Sequence, residues 1–135
     1  MLPAKNVNRF VDVSSDLLAR GYSVRFRAAG GSMSPAIRDG DRITVTPIAR
    51  ATLSPGRVVL YRRLDRLFAH RIVGVGEPLL LRGDAASVCD PPVTSSQLLG
   101  EVVAVTRAPV SAFSRALRTL RRCVASGFSR KVTSA

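Results

Sequence analysis

Chemistry in this chain of 135 residues has few places to start. Its single histidine, His70, lies in the run Leu67-Phe68-Ala69-His70-Arg71-Ile72-Val73. If that run is a strand, the imidazole shares a face with Phe68 and Ile72 and points inward or into a cleft. Imidazole, with an ordinary pKa of about 6.5, can take and return a proton at neutral pH. A lone histidine among apolar neighbours fits a structural role equally well, so its partners decide. The partner to consider is Ser32, in Gly30-Gly31-Ser32-Met33-Ser34-Pro35, on a glycine-softened turn just after a predicted strand. Such a turn exposes the hydroxyl and leaves backbone N–H groups free to face a developing oxyanion. A serine hydroxyl is a poor nucleophile unless a base stands within about 3 Å, which is the service a histidine can give. Gly and Ser are also common loop residues, so the turn alone is weak support.

These residues must be held by something, and the hydropathy pattern says what. Phe10, Val13, Leu17 and Leu18 recur at helical spacing between Asn8 and Arg20, and Gly21 supplies a stop, which predicts a short amphipathic helix. Val24, Phe26 and Ala28 then alternate with Arg25 and Arg27 as in a half-buried strand. Further strand-like runs are Arg42 to Thr46, Arg57 to Arg62, Leu67 to Val73, Leu79 to Leu81 and Leu98 to Val105, separated by Gly, Pro or Asp turns. About six short strands with no helical pattern between them predict a mainly β (α+β) fold, an antiparallel barrel rather than a parallel α/β layer. From about Val110 the register changes. Phe113, Ala116, Leu117, Leu120, Cys123 and Val124 would line one side of a C-terminal helix and its arginines the rest.

Composition bounds the function. The net charge is +12, of which residues 1–106 carry +5 and residues 107–135 carry +7 with no carboxylate. That divides the chain into a core of 1–106 and a basic amphipathic tail of 107–135. The tail would draw a polyanion, either anionic lipid or, as second choice, nucleic acid. A solvated charged face packed on the barrel is the plain alternative. Cys89 and Cys123 form no Cys-x-x-Cys pair and lie away from His70, so neither a disulfide framework nor a zinc site is expected, and no cofactor or metal. Glu77 and Glu101 interrupt the longest apolar stretches, and the N-terminus has no continuous apolar segment. The expected location is cytoplasmic, with peripheral contact at the membrane.

With these residues in hand, a resemblance emerges. Gly31-Ser32-Met33-Ser34-Pro35-Ala36-Ile37-Arg38-Asp39-Gly40-Asp41 is similar to the nucleophile box of signal peptidase I and the repressor-type self-cleaving serine peptidases. Gly56-Arg57-Val58-Val59-Leu60-Tyr61 resembles their next strand, with Arg57 where the family has Asp, and Ala69-His70-Arg71-Ile72-Val73-Gly74 resembles the strand of the general base. Leu81-Arg82-Gly83-Asp84 and Leu99-Gly100-Glu101-Val102-Val103 resemble the remaining two boxes. The five occur in the family's order and cover about residues 24–105. The only lysines, Lys5 and Lys131, lie outside every box, so the likeness is to the histidine-type enzymes of archaea and the endoplasmic reticulum. In those relatives an aspartate after the Gly-Asp turn orients the imidazole, and the corresponding position here is Asp90.

What the resemblance implies is a Ser32, His70, Asp90 triad that cleaves an extended peptide or a precursor protein, with small side chains selected near the cut. The Asp90-Pro91-Pro92 string also reads as a simple turn. The oxyanion would be bound by the backbone N–H groups of Ser32 and Gly31. Gly30 stands where many relatives carry an assisting hydroxyl, and loss of one donor costs about a hundredfold in rate. Met33 is expected to pack beneath the nucleophile, and Pro35, Asp41 and Asp84 to support the site structurally. The rival reading is a non-proteolytic or self-cleaving regulatory barrel whose basic tail binds nucleic acid or an anionic membrane.

Overall fold

A computed structural model describes residues 4–109 of the chain. Helix α1 spans Ala4–Ala19, and six strands follow: β1 Val24–Arg27, β2 Arg42–Pro47, β3 Val58–Arg63, β4 Arg66–Gly74, β5 Leu80–Arg82 and β6 Leu98–Thr106. All pair antiparallel in one sheet of order β1-β2-β6-β3-β4-β5. The fold is therefore mainly β, and each strand lies where the hydropathy alternation predicts it, with ends displaced by one residue at most. No ladder joins β1 to β5 among the described residues. The expected C-terminal helix, with Cys123, lies outside them.

The central strand β3 is covered on both faces of the sheet. Val59, Leu60 and Tyr61 are all buried, although successive side chains point to opposite faces. Val59 and Tyr61 enter a cluster with Ile72, Leu79, Leu81, Val93 and Leu98, while Leu60 joins Leu18, Met33, Ile37, Ile43 and Val45 on the other face. One face is thus covered by the segment from β5 to β6, the other by α1 and the loop after β1.

The helix corrects one expectation. Among residues 9–19 of the helix those buried are Val11, Ser14 and Leu18, whereas Phe10 and Val13 are 46% and 49% exposed. Two stripes of α1 carry apolar residues. The one that docks contains the small Ser14, which lets the helix approach the sheet, with Leu18 in the core cluster. Phe10 instead meets Phe26 of β1 edge to face, with ring centroids 5.4 Å apart.

Candidate active site

The loop from β1 to β2 carries Ser32 and is closed at its base by two backbone bonds, Ala28 N–H to Asp41 O and Gly40 N–H to Ala28 O, both 2.8 Å. Gly30 takes φ of +87°, which an L side chain rarely adopts, and donates its N–H to Asp39 Oδ1 at 2.9 Å. That is the physical reason for glycine at a position where the resemblance leads one to look for a hydroxyl residue. The chain then turns tightly, with Ser34 N–H bonded to Gly31 O at 3.1 Å, and is pinned by the buried side chains of Met33 and Ile37. Ser32 itself is exposed. Neither its N–H nor that of Gly31 donates to an acceptor among the described residues, which leaves both for an external oxyanion.

Three side chains distant in sequence meet here. Ser32 Oγ lies 3.1 Å from His70 Nε2, and His70 Nδ1 is hydrogen-bonded to Asp90 Oδ2. His70 stands in the middle of β4, paired with Val59, and its ring is buried on the face shared with Phe68 and Ile72. Asp90 lies within the irregular segment that follows β5, and its N–H donates to Leu81 O at 2.8 Å, so the residue serves a turn as well as facing the imidazole. With serine at one ring nitrogen and carboxylate at the other, this arrangement can relay a proton from an alcohol to an imidazole and stabilise the resulting cation.

The supporting residues act as follows. Met33 is buried, and its sulfur accepts the Asp84 N–H at 3.4 Å. Asp84 forms a two-pronged pair with Arg71, Nε to Oδ1 at 2.8 Å and Nη2 to Oδ2 at 2.7 Å. Those bonds hold its carboxyl below the usual range against the opposing effect of burial. Arg71 also donates to Gly56 O at 2.6 Å. Asp41 accepts from the Arg38 N–H, the Ala108 N–H and Arg107 Nη1, and its carboxyl is likewise lowered, first by the Arg38 N–H. Arg107 Nη2 reaches Pro35 O at 3.1 Å, so the first residue assigned to the basic tail is fastened to the loop that carries Ser32.

Sequence reasoning gave no role to two residues of this site. Tyr61 of β3 is buried, and its hydroxyl donates to Asp90 Oδ2 at 2.8 Å. Burial, then the bond to Asp90, pushes that hydroxyl well above its ordinary range, which keeps it a donor. A tyrosine at an inward position of a strand needs a partner for its hydroxyl, and that signal was available in the alternation of Val59 and Tyr61. Gly83 packs against Ser32 and His70. A Cβ there would stand 2.6 Å from Ser32 O and 3.3 Å from His70 Nε2, and the neighbouring Ala85 N–H holds Ser32 O at 3.0 Å.

A groove of about 470 Å³ runs from Ser32 and His70 between β1 and the first half of β4, with Phe26, Met33, Ile37, Ile43, Leu60 and Leu67 among its walls. Both flanking strands present unpaired backbone. Ala28 directs its N–H and C=O toward β2, so alternation leaves those of Arg27 and Ala29 on the open side. Ile72 bonds toward β3, through Arg57 O and the Gly56 N–H. The polar groups of Ala69 and Leu67 therefore face away from β3, beyond the reach of the short β5, whose ladder begins at Arg71. Among the described residues, no group of three or more His, Cys, Asp or Glu side chains gathers as a metal site, and no helix is long and apolar enough to cross a membrane. Comparison with family models and with curated proteins finds no match to this chain.

Proposed function

We propose that this chain is a serine endopeptidase of the signal peptidase and repressor-peptidase type, acting through Ser32, His70 and Asp90 on an extended peptide. The observation that carries the reading is the unbroken line of contacts from Ser32 Oγ through both nitrogens of His70 to Asp90, at the end of a groove bounded by two open strand edges. A peptide entering as a strand would pair with Arg27 and Ala29 on one side and with Leu67 and Ala69 on the other, completing the barrel. Its carbonyl carbon would then meet Ser32 Oγ. His70 Nε2 takes the hydroxyl proton as the C–O bond forms, and the Ser32 and Gly31 N–H groups bind the oxyanion. The same proton passes to the departing amine as the C–N bond breaks, leaving an ester on Ser32. Water, deprotonated by His70, then releases the acid and restores the serine.

Ser32→Ala removes the atom that forms the ester. Assayed against a library of Ala-x-Ala peptides, the variant is expected to retain no cleavage above background, and cleavage at the wild-type rate would refute the mechanism.

A further inference from the structure

We propose that Tyr61 is a positioning residue of this site, whose hydroxyl fixes the Asp90 carboxylate so that it holds His70 Nδ1 and keeps Nε2 turned toward Ser32. The inference rests on the peptidase reading. Both donors converge on one atom, because Asp90 Oδ2 accepts the Tyr61 hydroxyl at 2.8 Å and is also the oxygen bound to His70 Nδ1. The Tyr61 ring cannot wander. It is 1% exposed, stacks on Phe68 at 5.3 Å and meets the His70 ring nearly edge to face at 6.2 Å.

The same strand face fastens the acid loop a second time. Arg63, two residues along β3, lies over the Tyr61 ring at 5.6 Å and donates from Nη2 to Pro91 O at 2.8 Å. Asp90 is otherwise tied by its own N–H to Leu81 O. That bond locates the backbone but leaves the carboxylate free to rotate about its side-chain torsions. The hydroxyl removes that freedom, and it does so before any substrate arrives. A positioned acid selects one imidazole tautomer, the one with the proton on Nδ1 and the lone pair of Nε2 toward the serine.

Tyr61→Phe keeps the ring and deletes the donor. In the full chain, kcat is expected to fall about tenfold with KM held within about twofold, the loss appropriate to one hydrogen bond to a charged group. Because His70 is the only histidine, its ring nitrogens give one set of nitrogen resonances, and these should move from a single tautomer toward a mixture in the variant. In an Asp90→Asn background the second substitution should cost nothing more, since Tyr61 acts through that carboxylate. Unchanged imidazole resonances with an unchanged kcat, or losses that multiply in the double variant, would overturn the proposal. Should Tyr61→Phe not fold, 3-fluorotyrosine in a Tyr22→Phe chain leaves Tyr61 as the one labelled ring. Its fluorine signal must then shift with Asp90→Asn and not with Asp16→Asn, and indifference to Asp90 is the refuting result. If the wild-type chain shows no Ser32-dependent cleavage, the peptidase reading falls, while the imidazole resonances still decide whether Tyr61 controls His70.

Discussion

Three aspartates around the candidate site, Asp41, Asp84 and Asp90, fall into two settings that differ in what faces them. Asp41 and Asp84 each meet an arginine, Arg107 and Arg71, and their remaining capacity is used on backbone N–H groups or on the second prong of the guanidinium. Asp90 meets no arginine within ion-pair distance among the described residues, only the His70 ring and the Tyr61 hydroxyl. An arginine beside a carboxylate locks its geometry and cancels its field. A carboxylate that faces no arginine keeps its field for whatever charge appears next to it, and in the proposed reaction that charge is the imidazolium. The two aspartates latched by arginine therefore hold loops, and Asp90, held without one, is the carboxylate whose charge the proposed reaction would use.

The sharpest way to break this comparison is Asp90→Asn. The amide preserves shape but removes the charge and can present its N–H to His70, forcing the wrong tautomer. The expected fall in kcat is about 10⁴-fold, as for the equivalent change in serine proteases, with the chain still folded by circular dichroism. A variant that kept most of its activity would make Asp90 the turn residue that its Asp-Pro-Pro context also permits. Gly83→Ala follows in size. Its methyl would press on Ser32 O and the His70 ring, where the first neighbour is backbone and cannot swing aside. Displacing the nucleophile by a fraction of an ångström to an ångström should cost about 10²-fold in kcat, visible in single-turnover cleavage with little change in peptide binding. Equal loss of binding and turnover would mean that the loop had collapsed rather than shifted.

Some of this was readable from residues and some was not. The strands were, because each is short, alternates cleanly and ends in Gly, Pro or Asp. Ser32 and His70 stand out by type and context, and Met33, read as a packing residue, is buried with its sulfur on the N–H of Asp84, read as a turn residue. Asp90 is not separable from a turn by its own neighbours, and in the fold its N–H bonds Leu81 O while its carboxylate faces His70. The insertion of β6 between β2 and β3 pairs it with residues about forty positions away on the β3 side, as Val59 with Glu101, and more than fifty on the β2 side, as Pro47 with Gly100, which no local pattern encodes, and the open edges of β1 and β4 follow from that topology. Arg107 read as the first charge of a basic tail, but Asp41, distant in sequence, claims it. The helix offered two apolar stripes, and periodicity could not say which one Ser14 would let into the core.

Asp84→Asn tests the opposite side of the comparison, and its signature is stability rather than turnover. The pair with Arg71 is partly exposed, with side chains 34% and 23% accessible, so its contribution is modest, about 1 kcal/mol after screening by solvent. For a domain of this size that is a drop of about 4 °C in the thermal midpoint at neutral pH. The sign with pH follows from Arg71, which holds the carboxyl below its ordinary value of 3.8. The stabilisation is complete above that value, shrinks as pH falls from it toward the folded-state value, and is gone once the carboxylate is protonated in both states. Wild type and Asp84→Asn should therefore differ in midpoint at neutral pH and converge in acid, while the variant keeps most of its kcat at neutral pH. If its kcat instead fell as far as that of Asp90→Asn with the midpoint unmoved, the latched and unlatched carboxylates would have the same work, and the pairing with arginine would no longer mark which one serves the chemistry.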